Sequence, residues 1–164
     1  MVKIMSTTQY MWKIPTNTLY PNKDACFIKE YIAESAISPG DVVGLVSGSS
    51  TNIERSDSNA PTGAAVIGVA GDNISTNGDT DVAFDTDYAA GDSVPVVVFG
   101  PIAALTRTGA ITSGLRAGIS TDAGEAINST TMAQIFGKCM LGATAVTKSD
   151  ASAIYRAIVF VGLW

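Results

Sequence analysis

The chain has 164 residues, 46% of them apolar and only 15% charged, against roughly 25% charged in an average soluble domain. That is one domain's length, with enough apolar residues for a core and too few charges to cover a monomer, so some surface is expected to be covered by other subunits. A net charge of −5 and the absence of histidine argue against nucleic acid as the main partner and remove His-based triads and the commonest metal ligand.

Residues 1–23 read as an extended N-terminal arm. Pro15 and Pro21 block a regular helix, and Tyr10, Trp12 and Tyr20 are aromatics that need somewhere to dock. Through Glu34 the charge balance is +1, from Lys3, Lys13, Lys23 and Lys29 against Asp24, Glu30 and Glu34; the rest of the chain carries −6. This opening stretch has no uninterrupted apolar run and is not read as a signal peptide. No window approaches the ~18 consecutive apolar residues of a membrane span.

Residues 24–164 read as a single all-β domain, a small closed β-barrel or sandwich. Sixteen glycines are spaced as turns between short Val- and Ile-rich runs. The expected strands are Cys26–Ala33, Asp41–Val46, Ala64–Ala70, Thr80–Phe84, Ser93–Phe99, Ile102–Thr106, Arg116–Ile119, Gln134–Ala143 and Ala153–Leu163. Asp150–Arg156 could open with a helical turn after Ser149. Several runs are apolar on both faces, the pattern of strands covered by a core on one side and a neighbour on the other. Cys26 and Cys139 lie among apolar neighbours and read as buried thiols rather than a bridge.

A short motif recurs. Ile37-Ser38-Pro39-Gly40-Asp41-Val42-Val43 is echoed by Tyr88-Ala89-Ala90-Gly91-Asp92-Ser93-Val94, and by Ile111-Thr112-Ser113-Gly114-Leu115-Arg116-Ala117, which lacks the aspartate. Gly40, Gly91 and Gly114 are structural turn residues in this reading, with the positive φ that glycine tolerates. Asp41 and Asp92 are expected to bond their own backbone just beyond the turn. The first and third copies lead through a polar loop to Ile67-Gly68 and Phe136-Gly137, where a glycine within a strand marks a bulge or close backbone approach. Two related halves around a central Val94–Leu105 strand pair would close a small barrel.

The chemistry-like motifs have bland readings. Gly91-Asp92-Ser93 resembles the nucleophile block of GDS-type esterases, but with no histidine to take the serine proton it reads as a turn; Gly48-Ser49-Ser50 fails likewise. A Ser–Lys dyad with Lys138 or Lys148 has no spacing to single it out. The acidic stretch Asp72–Asp92, with Asp79 and Asp81 in an Asn-Gly-Asp-Thr-Asp run, lacks the order and closing glutamate of a calcium loop and reads as solvated. Asn73 and Asn128 fit the glycosylation acceptor pattern, which is common by chance. Gly63–Gly71 is neither a dinucleotide nor a phosphate loop. No catalytic, cofactor-binding or metal residue is assigned, and no cofactor is expected.

The succession Gly40-Asp41-Val42-Val43, Ile67-Gly68-Val69-Ala70, Ala89-Ala90-Gly91-Asp92-Ser93-Val94-Pro95-Val96 with Gly100 closing the strand, then Gly114, Gly137, Ala143 and a β C-terminus, resembles the head decoration (cement) proteins of tailed phages and related archaeal viruses. The resemblance spans Ile37 to Trp164; the aromatic arm and an Asn52–Thr62 insertion depart from the short family pattern. It implies a non-enzymatic β-barrel protein on the outer capsid surface of a virion, made in the host cytoplasm, whose partners are the major capsid protein and copies of itself as a homotrimer, without membrane or nucleic acid. Tyr10, Trp12 and Tyr20 would then supply capsid or subunit contacts. The alternative is a carbohydrate- or receptor-binding β module of a virion spike or surface adhesin.

Overall fold

The computed structural model describes residues 25–57, 66–71, 87–106, 110–131, 134–147 and 153–162. They form nine strands: β1 (Phe27–Ala33), β2 (Val42–Leu45), β3 (Asn52–Arg55), β4 (Val66–Ala70), β5 (Ser93–Thr106), β6 (Arg116–Ile119), β7 (Ala126–Asn128), β8 (Ile135–Thr147) and β9 (Ala153–Val161). Among the described residues there is no α-helix, and so none long and apolar enough to cross a membrane. The expected strand Thr80–Phe84 and helical turn at Ser149-Asp150 lie outside them.

The strand pairing closes twice. β1 pairs with β3 in parallel, β3 with β2, β2 with β4 and β4 with β5, and β5 returns to β1. The second ring repeats that scheme: β5 with β7 in parallel, β7 with β6, β6 with β8, β8 with β9, and β9 back to β5. The all-β barrel is thus two five-stranded rings sharing one long strand. Closure leaves neither ring an open sheet edge.

Register shows that the rings are related. Ile32 faces Asn52 across the parallel pair of the first ring, and Thr106 faces Ala126 in the second; both partners have moved 74 positions along the chain. The register slips at Val43/Gly44 in the first ring and at Ala117/Gly118 in the second, again 74 apart. The motif copies at Ile37 and Ile111 share this offset, so the sequence repeat marks a repeated fold.

Three expectations are corrected. Ser93–Phe99 and Ile102–Thr106 are one strand, not two: Gly100 lets the chain continue at φ 116°, where a Cβ would press on the Ala25 carbonyl oxygen at 2.6 Å. Gly100 therefore passes the strand from one ring to the other instead of closing it. The segment Asn52–Thr62 is no mere insertion, since Asn52–Arg55 is β3, which closes the first ring. β7 was equally hidden, because strands of four and three residues with one or two inward side chains have no alternation to read.

The core explains the doubly apolar runs. Tyr31, Val43, Ile53, Ala70, Val94 and Val96, drawn from all five strands of the first ring, fill its interior with Ile37 and Tyr88. Their strand neighbours Val42, Val69 and Val97 point the other way and join Ile102, Ala117, Phe136 and Val159 in a second cluster. Alternate residues on one strand face opposite sides, so β2, β4 and β5 are buried inside by their own ring and outside by the other ring. The neighbour expected on the outer face lies, for these strands, within the same chain.

Candidate functional site

The recurring turns serve as joints, and the first is the most enclosed. Gly40 N–H donates to Ala70 O, the Gly40 carbonyl accepts from Leu105 N–H, and Val42 N–H donates to Gly124 O, each at 2.8 Å. One short turn thus ties β4 and β5 to the loop before β7, linking both rings. Gly40 has φ 93°, and a Cβ there would meet Arg156 Nη1 at 2.7 Å and Ala103 O at 3.2 Å.

Asp41 and Arg156 are both buried at this joint. The Asp41 carboxylate accepts from Ser38 N–H at 2.7 Å, and Arg156 Nη2 donates to Pro39 O at 3.1 Å. Burial pushes the Asp41 carboxyl up to about 7, against the lowering effects of the Ser38 hydrogen bond and the nearby Arg55 and Arg156 charges. Burial pulls Arg156 down to about 9, opposed by Asp41. Neither effect makes the pair a catalytic site, since the pair lies at the seam of the fold, occupied by backbone.

The second copy repeats the geometry at the surface. Asp92 accepts from Ala89 N–H at 2.7 Å as Asp41 does from Ser38, and Gly91 has φ 93°. The expected direction of this bond is corrected: each carboxylate reaches back three residues to the turn's start, because the glycine between turns the chain over it. The two copies also pair with each other through Ile37 N–H to Tyr88 O and Tyr88 N–H to Ile37 O. In the third copy Gly114 has φ 84°, and the exposed Leu115 occupies the aspartate's place. Around Gly91 and Gly114 a Cβ would meet nothing within 4 Å.

Ser93 Oγ donates to Glu30 Oε2 at 2.7 Å, which occupies the hydroxyl of the esterase-like block with a neighbouring surface carboxylate. Among the described residues no three His, Cys, Asp or Glu side chains group as a metal site. Cys26 and Cys139 are not joined in a disulfide and donate to Pro101 O and Leu141 O; burial pushes each thiol up to about 11, which disfavours the thiolate. Tyr10, Trp12, Tyr20, Asp79, Asp81 and Asn73 lie outside the described residues. Asn128 is in β7 and accepts from Thr112 N–H at 3.1 Å.

One surface feature went unread in the sequence. Phe27 is 65% exposed and Phe99 51%, and they face each other across the β1–β5 pair. Phe99 also meets Phe160 edge to face, centroids 5.1 Å apart and planes at 87°. Two exposed phenylalanines in register, one of them touching the half-buried Phe160, thus lie where one barrel ring passes into the other. All three sit in runs that read as core strands, so periodicity alone gave them an interior place.

No protein-family profile matches the chain, and no curated protein does. A crystal structure of the head fiber gp8.5 N base in bacteriophage phi29 is similar at 16% identity with a TM-score of 0.42, over 84% of this chain and 98% of that one. A likeness that slight fixes neither the fold nor the role of this chain.

Proposed function

We propose that the chain is a non-enzymatic decoration (cement) protein of a viral capsid, binding the assembled lattice of the major capsid protein and stabilising the shell. The observation that carries this reading is architectural. The motifs on which the resemblance to head decoration proteins rests, at Gly40-Asp41, Gly91-Asp92 and Gly114, are positive-φ turns of a closed double barrel. What the resemblance picks out is thus a scaffold, and its loops and aromatic patch are left for contact.

The mechanism is mechanical. A protein that binds only the assembled lattice stabilises it by mass action, and many copies engaging together add avidity to weak single contacts. Self-association as a homotrimer belongs to this reading, with Tyr10, Trp12 and Tyr20 as anchors between subunits or on the shell. Co-sedimentation of the purified protein with empty shells tests it: the protein is expected to pellet with intact shells and to stay in solution with dissociated capsid protein. Equal binding to both would remove the lattice from the account.

A further inference from the structure

We propose that the turn at Leu115, on the open end of the second ring, docks head to tail on the outer face of β1 in a second copy of this chain. The contact is the intermolecular counterpart of the joint between the two rings. It rests on the self-association in the reading above, and not on shell binding.

The internal joint is the template. The first ring's Gly40-Asp41-Val42 turn sits on the second ring: Leu105 N–H donates to Gly40 O and Val42 N–H to Gly124 O, with Arg156 and Ala103 against Gly40. Strand pairing shows which residues of the first ring form the corresponding seat. Leu45 faces Ile53 and Ile53 faces Ala33, as Ile119 faces Ala126 and Ala126 faces Thr106. Ala33 therefore corresponds to Thr106, Ile32 to Leu105 and Glu30 to Ala103. Across the next pairing Ile32 faces Ser93, where Leu105 faces Arg156.

Each chain thus has two such turns and two such seats, and one of each is used internally. The other turn and the other seat lie at the surface. Ile32 is 38% exposed, between the exposed Glu30 and Glu34. Leu115, in the place of Asp41, is 50% exposed. Where Gly40 is pressed by Arg156, a Cβ on Gly114 would meet nothing within 4 Å.

The two surfaces are complementary. Glu30, Ile32 and Glu34 alternate on one face of β1, an isoleucine between two carboxylates. Ser93 Oγ donates to Glu30 and Asn52 Nδ2 to Glu34, each at 2.7 Å, which holds both carboxylates in place. Beside Leu115, the exposed Arg116 faces the exposed Lys138 in register. A leucine with two cations therefore meets an isoleucine with two anions. In a chain of net charge −5, that match selects this pairing over the many in which acidic faces repel.

One difference sets the strength. In the second ring the turn is wedged between Leu105 N–H and Gly124 O. In the first ring the corresponding gap is closed, because Ile32 N–H donates to Thr51 O at 2.9 Å. The second copy is therefore held by side chains alone, in a reversible contact that salt weakens. Turn and seat are different surfaces, so the contact is heterologous, and its repetition closes a ring of copies or extends a filament.

The test is sedimentation velocity on the full chain without shells, across a concentration series. The unsubstituted protein is expected to self-associate. Leu115→Asp, which gives the third turn the aspartate of the other two, and Ile32→Lys in the seat are each expected to raise the dissociation constant at least about tenfold. Mixed together, the two variants are expected to associate again, because the intact turn of one meets the intact seat of the other. Raising sodium chloride from about 0.05 to about 0.5 M is expected to weaken the contact several-fold. A monomeric full chain, a dissociation constant indifferent to either substitution, or variants that stay apart when mixed would each overturn the proposal. So would association that tightens with salt, which belongs to an apolar contact elsewhere. Should circular dichroism show Ile32→Lys unfolded, Glu34→Lys at the exposed neighbouring position replaces it. Because no shell is present, failure here leaves the decoration reading standing, and a shell that fails to bind leaves this contact standing.

Discussion

Asp41 and Arg156 lie buried together where the two rings meet, the carboxyl pushed up to about 7 and the guanidinium pulled down to about 9. The charges facing Asp41 are Arg55 from β3, Asp87 from the segment before β5, and Arg156 from β9. Between its ordinary value of 3.8 and about 7, the folded chain holds a proton on Asp41 that the unfolded chain has released. Its contribution to stability is therefore complete below the ordinary value and is lost as pH rises through about 7. Arg156 works in the other direction but only above about 9. Asp41→Asn keeps an oxygen to accept from Ser38 N–H and removes the titration. Its melting temperature should fall less than the wild type's between about pH 4 and about pH 8; equal falls would place the titrating group elsewhere.

Gly40 and Gly91 share a φ of 93° but not their surroundings. Gly91→Ala should cost only the backbone term, about 1–2 kcal/mol. Gly40→Ala adds a collision with the Arg156 guanidinium and the Ala103 carbonyl, so a loss of roughly 3 kcal/mol or more is expected. Denaturant unfolding of the two variants measures the difference; equal losses would mean that the joint yields.

Much of this was legible in the sequence, and particular residues show where legibility stopped. β1, β2, β4, β6 and β9 were readable because apolar runs lie between glycine turns, and the 74-residue repeat was visible at Ile37 and Ile111. β3 and β7 were not, since Ile53 is the only fully inward residue of Asn52–Arg55. Gly100-Pro101 reads as a strand break, yet the strand runs through it because a glycine tolerates φ 116°. Asp41 and Asp92 occupy the same Gly-Asp-x-Val motif, and tertiary packing buries the first and exposes the second. The low charge content, read as a sign of partners, is partly answered by one ring covering the other.

The duplication makes its own prediction at Gly68 and Gly137. A Cβ on Gly68 would collide with the Val97 carbonyl, and one on Gly137 with the Phe160 carbonyl, the same approach of β4 to β5 and of β8 to β9. Ala at either position should cost at least about 2–3 kcal/mol, by chemical denaturation of each variant. A neutral substitution at one site and a severe one at the other would break the equivalence of the rings.

Ser93→Ala should leave the protein almost unchanged. It removes a surface hydrogen bond to Glu30, worth about 1 kcal/mol or less. Turnover of a simple ester that vanished with this substitution would contradict the non-enzymatic reading.

The most direct test of the decoration role is the copy number of this chain on purified virus particles, by quantitative mass spectrometry against the major capsid protein. A decoration protein is present in numbers comparable to the capsid protein, because it occupies repeated positions on the lattice. That is the predicted result. A handful of copies per particle would contradict it and point instead to a spike or receptor-binding module.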